Sequence, residues 1–151
     1  MARWSFFYLI RIEFLGFRYH GWQKQPKYKS VQGMVDKTFE FIFQHDNFKT
    51  HGCGRTDAKV SANDFAFELF VIDKIDTHKI IKHLNKNLPS DIRAKTVVQV
   101  SSEFNIIQNS KEKEYHYFFS SGDKSHPFNA PFIRDFGSKL NIEIMREAAE
   151  L

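Results

Sequence analysis

Residues 54–58 read Gly-Arg-Thr-Asp-Ala, placing a carboxylate two residues after a guanidinium on a turn opened by glycine. Arg55 can keep Asp57 ionised by pairing with it, and can swing to a phosphate when one arrives. Taken alone, an Arg-x-Asp triplet is more often a local salt bridge or an Asx-turn than a catalytic pair. Other reactive patterns are missing. The seven histidines include no H-x-x-x-H or H-E-x-x-H pair, and Cys53 is the single cysteine. No metal site is therefore expected, and an internal disulfide is excluded. Cys53 reads as a packed thiol, since no histidine stands at a defined distance to activate it. There is no G-x-x-x-x-G-K motif and no G-x-G-x-x-G, so no nucleotide cofactor is expected.

A second group is set apart by charge. The chain carries a net +4, but residues 1–30 hold six cations (Arg3, Arg11, Arg18, Lys24, Lys27 and Lys29) against Glu13 alone. That segment sums to +5 and the other 121 residues to −1. Phe17, Tyr19, Trp22 and Tyr28 are interleaved with these cations, a composition that can hold a phosphate backbone beside stacked bases. By composition alone, a solvated loop whose aromatics anchor the core is the commoner outcome.

The elements that must position these groups follow from periodicity. Tyr8, Ile10, Ile12 and Phe14 alternate with Arg11 and Glu13, which predicts a strand over 6–14 with one buried face. Residues 15–30 form a loop with Gly16, Gly21 and Pro26, ending at Ser30 as a helix N-cap. Val31, Met34, Val35, Phe39 and Ile42 recur at helical spacing up to about residue 44. Residues 48–53 lead through the glycine turn into a strand marked by Phe65, Phe67, Leu69 and Val71. Asp76 or Thr77 caps a second helix carrying Ile80, Ile81, Leu84 and Leu88, which Pro89 ends. Val97, Val98 and Val100 mark a fourth strand.

The order β-α-β-β-α-β is that of a ferredoxin-like α+β unit, an antiparallel sheet with both helices on one face. We assign it residues 1–104. Residues 105–151 read as the start of a second, similar unit: an aromatic strand over 115–119, a loop with Pro127 and Pro131, and a helix from about Asn141 with Ile142, Met145 and Ala149 inward. No partner strand is expected there.

At 151 residues, 42% hydrophobic and 16% aromatic with seventeen phenylalanines, the chain can bury a core without disulfides or a structural metal. A disordered tail or fibre is excluded. No stretch approaches the roughly 18 to 20 apolar residues of a membrane span, and neither a membrane partner nor a leader peptide is expected. The lone cysteine points to a reducing, cytoplasmic compartment.

These features converge on one resemblance. Residues 54–62, G-R-T-D-A-K-V-S-A, resemble the G-R-T-D-A-G-V-H-A signature of the TruA family of tRNA pseudouridine synthases, agreeing at seven of nine positions. The family's G-W-Q-x-Q and following S/T-V-Q appear at residues 21–25 and 30–32. Its L-N-x-x-L-P-x-D-I appears at residues 84–92, and its basic residue ahead of Y-x-Y appears as Lys113 before Tyr115 and Tyr117. Together the motifs span about residues 6–120. The resemblance implies an isomerase that detaches uracil from ribose, turns it and rejoins it through carbon 5, without a cofactor. It places the essential carboxylate on Asp57, with Arg55 paired to it and touching the flipped nucleotide, and Tyr115 stacked on the target uracil. Arg18, Lys24, Lys27, Lys29 and Lys113 would hold tRNA, in the anticodon arm. The chain departs from the family at Lys59 (glycine in the family), Ser61 (histidine), and Asn105 and Ile107, which stand for the histidine and arginine of F-H-A-R. If the backbone at Lys59 needs a positive φ, a side chain there costs on the order of 1 kcal/mol. Family enzymes carry a second half, so the resemblance implies either a fragment of a longer protein or a short homologue that pairs with another copy as a homodimer. The alternative function is a non-catalytic, RNA-binding homologue.

Overall fold

The computed structural model describes residues 4–109 and 112–150. Two compact units divide the chain, one running to Lys113 and the other beginning at Glu114.

The first unit contains β1 (Phe6–Phe14), α1 (Val31–Phe43), β2 (Phe48–Gly52), β3 (Ala62–Val71), α2 (Thr77–Asn87) and β4 (Ile92–Val100). The strands form one sheet in the order β2-β3-β1-β4, with every neighbouring pair antiparallel. This is the split β-α-β arrangement that the element order predicts. Tyr8, Ile10 and Ile12 stand opposite Leu69, Phe67 and Phe65, and all six are at most 5% exposed. Both helices lay their apolar stripes on that face, through Val31, Val35 and Phe39 of α1 and Ile80 and Leu84 of α2.

The helix ends follow their sequence signals. Ser30 caps α1 by accepting from the Gly33 amide, and Asp76 rather than Thr77 caps α2 by accepting from the His78 and Lys79 amides. β4 starts at Ile92, five residues before the valines that mark it. Its register with β1 slips between Arg11 and Ile12, which pair with Thr96 and Ala94. The Asn85 side chain closes on that slip, donating to the Ala94 carbonyl at 2.9 Å and accepting from the Ala94 amide at 2.8 Å. On the sheet's second face Glu68 is 2% exposed, and Ile106, 5% exposed, donates its amide to Glu68 Oε2 at 3.4 Å. Burial pushes the Glu68 carboxyl above its ordinary range against the pull of the Ile106 amide and Lys49. No helix among the described residues is long and apolar enough to cross a membrane.

The second unit differs from the expectation in three ways. Its strand β5 is Phe118–Ser121, so Tyr115 and Tyr117 precede it and are 77% and 72% exposed. A partner strand is present: β6 (Ile133–Phe136) pairs with β5 in parallel, with Phe118 opposite Ile133. The Ser120 hydroxyl donates to Asp135, its cross-strand partner. β6 is only four residues with two charges at its centre, too short for alternation to reveal, and the pairing defines where β5 begins. Helix α3 (Ile142–Ala149) is capped by Asn141, but none of its residues is buried, with Ile142 and Met145 40% and 41% exposed. Two four-residue strands and an eight-residue helix offer too little surface to enclose an inward face.

Candidate active site

The stretch between β2 and β3 carries Asp57, and its path is set by the loop after β1. Gly21, at φ +79°, brings its backbone so close to the Thr56 carbonyl that a Cβ there would lie 2.1 Å from the oxygen. Gly16 approaches in the same way: a Cβ would meet the Val60 carbonyl oxygen at 1.8 Å. Hydrogen bonds join the two loops. The Lys59 amide donates to the Tyr19 carbonyl at 2.9 Å, the Trp22 amide to the Thr56 carbonyl at 3.4 Å, and the Gly16 amide to Ser61 Oγ at 2.9 Å. Ser61, where the family has histidine, thus ties the loops together.

Trp22, 2% exposed, packs on Phe65 and Phe67 under Gly52, which lacks the Cβ that would strike the indole. Trp22 and Tyr19 are therefore core anchors, whereas Phe17 and Tyr28 are 44% and 53% exposed. Lys59 adopts φ +68°, the left-handed conformation that glycine takes freely and a lysine does not.

Arg55 and Asp57 both project from this frame into solvent. The expected pairing between them is not formed: among the described residues neither makes an ion pair or hydrogen bond through its side chain. In water an isolated pair of this kind gains little over hydration, and the bends of the loop do not impose it. Between them Thr56 is turned inward, its Oγ1 buried without a hydrogen-bond partner. Lys113 reaches the same turn, its Nζ 3.0 Å from where a Cβ on Gly54 would stand. The structure thus gathers Arg55, Asp57 and Lys113 about one turn. Tyr115 lies in the second unit, where it is exposed.

The cations of the first loop divide by partner. Arg18 is bound to Asp91, with Nε and an Nη at 2.9 and 2.7 Å from Oδ2, while the Tyr19 hydroxyl donates to Oδ1 at 2.6 Å. Burial opposes ionisation of Asp91, but the hydrogen bonds from Tyr19 and Arg18 overcome it and hold the carboxyl below its usual range. Burial, followed by the Asp91 hydrogen bond, pushes the Tyr19 phenol upward. Lys24 pairs with Asp36 at 3.2 Å. Lys29 lies over the Tyr19 ring, 5.0 Å from its centroid. Lys27 has no ion pair among the described residues.

Several motif residues therefore support the site without belonging to it. Asp91 holds the first loop, Asn85 clamps α2 to β4, and Gln32 accepts from the Lys24 amide while donating to Thr50. The sequence motif included these residues, but their roles rest on distant partners.

No family model matches the chain. Individual proteins do. The chain is 35% identical over 139 residues to tRNA pseudouridine synthase A of Aquifex aeolicus, an alignment covering 92% of this chain and 57% of that protein. It is 40% identical over 144 residues to the protein of the same name from Thermosipho melanesiensis, covering 94% and 58%. It is 34% identical over 152 residues to tRNA pseudouridine synthase A 2 of Bacillus cereus, covering 95% and 58%. The chain is related to the TruA pseudouridine synthases. It spans a little over half the length of these TruA relatives. Alignments that cover 92–95% of the chain take in the exposed Asp57 turn and most of the ferredoxin-like unit.

Proposed function

We propose that this chain is the Asp57-bearing part of a pseudouridine synthase acting on uridines of tRNA, in the anticodon arm. The observation that carries the reading is the Gly54-Arg55-Thr56-Asp57-Ala58 turn, presented to solvent on a backbone locked against the first loop, in a chain 33–40% identical to proteins named tRNA pseudouridine synthase A. A target inside a helix is out of reach of such a turn, so the uridine must be flipped out to meet it. The bond from uracil N1 to ribose C1′ then breaks and a bond from C5 to C1′ forms. The C5 proton leaves and N1 takes one up, so neither electrons nor water are consumed.

Asp57 is the carboxylate that engages the sugar or the base during this exchange. Arg55, free in the structure, is available for a phosphate or for Asp57 once the nucleotide displaces water. Tyr115 provides the ring on which the uracil stacks. Lys113, beside Gly54, adds positive charge next to the turn, and Arg18, Lys24, Lys27 and Lys29 hold the RNA backbone.

The test is pseudouridine formation on unmodified tRNA, with and without a polypeptide covering the remaining length of the relatives. Asp57→Asn is expected to lower the rate by at least about 100-fold. Equal activity in the two proteins would remove Asp57 from the mechanism. The exposed, unpaired state of Arg55 and Asp57 favours one second reading, a homologue that binds RNA without modifying it. That reading wins if tRNA binds with a steep salt dependence and no product forms under either condition.

A further inference from the structure

A cavity of about 570 Å³ lies beside the start of α1, bordered by Lys24, Lys27, Lys29, Lys37 and Tyr28. It is a groove open to solvent on one side, so a ligand seated there keeps part of its surface in water. No residue of the Asp57 turn lines it. Three of the lysines come from the loop before the helix, and Lys37 comes from the helix itself.

The four ammonium groups are not equivalent. Lys24 is held by Asp36, whose other oxygen accepts the Thr50 hydroxyl at 2.6 Å, and Lys29 sits over Tyr19. Lys27 and Lys37 are exposed and make no ion pair among the described residues. The start of α1 offers no spare donors either. The Val31 and Gln32 amides go to the carbonyls of Gly21 and Trp22, and the Gly33 and Met34 amides go to Ser30. The charge that meets an anion here would therefore come from lysine side chains, which act on phosphate as mobile point charges, and not from the helix start. At the edge of the cavity the Tyr28 ring is 53% exposed and braced by His20, with centroids 4.6 Å apart. A braced, exposed ring beside free ammonium groups is the combination that stacks a base while its phosphate is neutralised.

We propose that this cavity seats one single-stranded nucleotide of an RNA, its phosphate between Lys27 and Lys37 and its base on Tyr28. The inference rests on the RNA-binding reading above, and it names the part of the substrate that this surface takes. A free mononucleotide offers the same chemistry, so the experiment separates the two sources. Binding of a labelled single-stranded oligonucleotide and of tRNA is measured by fluorescence anisotropy across a salt series, with uridine monophosphate as competitor. Tyr28→Ala is expected to weaken oligonucleotide binding at least about 5-fold, with Tyr28→Phe restoring it. The double variant Lys27→Gln/Lys37→Gln should reduce the slope of log affinity against log salt by about 0.7, one phosphate's worth.

Three results would overturn the proposal: unchanged affinity and slope in these variants, an equal loss in Lys82→Gln on the exposed side of α2, or displacement by the mononucleotide as effective as by unlabelled oligonucleotide. The pseudouridine assay on the same preparations keeps the two readings apart. Product formed while the cavity variants bind normally sinks the cavity alone. Binding through the cavity without product sinks the catalytic reading alone.

Discussion

Gly21→Ala probes the backing of the Asp57 turn directly. The new Cβ would stand 2.1 Å from the Thr56 carbonyl oxygen, about 0.9 Å inside the 3.0 Å that real Cβ atoms respect, and 3.2 Å from the Asp57 carbonyl carbon. Both neighbours are backbone, so the clash cannot be relieved by a rotamer change. Two costs add. A side chain at φ +79° costs about 1 kcal/mol, and pushing two packed backbone segments apart costs about 1–3 kcal/mol. We expect a loss of about 2–4 kcal/mol, read as a lower midpoint of urea unfolding followed through tryptophan fluorescence, to which Trp4 and the buried Trp22 both contribute. Lys59, on the same turn, supplies an internal reference for the first cost. Lys59→Gly relieves a φ of +68° without altering a backbone approach, and should raise stability by roughly 0.5–1 kcal/mol. Pseudouridine formation by Gly21→Ala should fall even where the protein remains folded, because the displaced atoms adjoin Asp57. A loss below about 1 kcal/mol with full activity would refute the idea that the first loop holds the turn in place.

Two further outcomes follow from the same framework. Asp91 is held below its ordinary range by Tyr19 and Arg18 against its burial, so its contribution is present above the unfolded value of about 3.8 and lost as pH falls through the folded one. Asp91→Asn should therefore be less stable at pH 7 and show a flatter loss in acid titrations; an unchanged acid profile would count against the cluster. Asn85→Ala strips both bonds from the Ala94 backbone, which is 3% exposed, and should cost about 1–3 kcal/mol in the same unfolding assay, whereas a neutral effect would mean that water replaces the amide.

Much of this was legible in the chain itself. Alternation from Phe6 to Phe14 defines the buried face of β1 because successive strand residues point to opposite sides, whatever lies nearby. Ser30 and Asp76 mark helix starts because the groups they satisfy are only two or three residues away. The Gly-Arg-Thr-Asp-Ala run and its companion motifs pointed to the right relatives because they are contiguous. What depended on remote partners was not readable. Arg55 and Asp57 are close in sequence and unpaired in space, while Arg18 and Asp91, far apart in the chain, form the ion pair. The strand β6 is visible only through its parallel pairing with β5.

The sequence by itself determined the β-α-β-β-α-β order, the sheet face that carries the core, and the position of Asp57 on a turn between two strands. These depend on local periodicity and on caps acting over a few residues. Only the tertiary structure decided that the loop after β1 is the backing of that turn. The contact is made by backbone atoms at Gly16 and Gly21, where it is the missing side chain that permits the approach, and a glycine in a sequence does not say which segment it admits. The same holds for Lys37, which belongs to a solvent-facing helical position in the sequence and joins Lys27 and Tyr28 only because α1 starts where the basic loop ends.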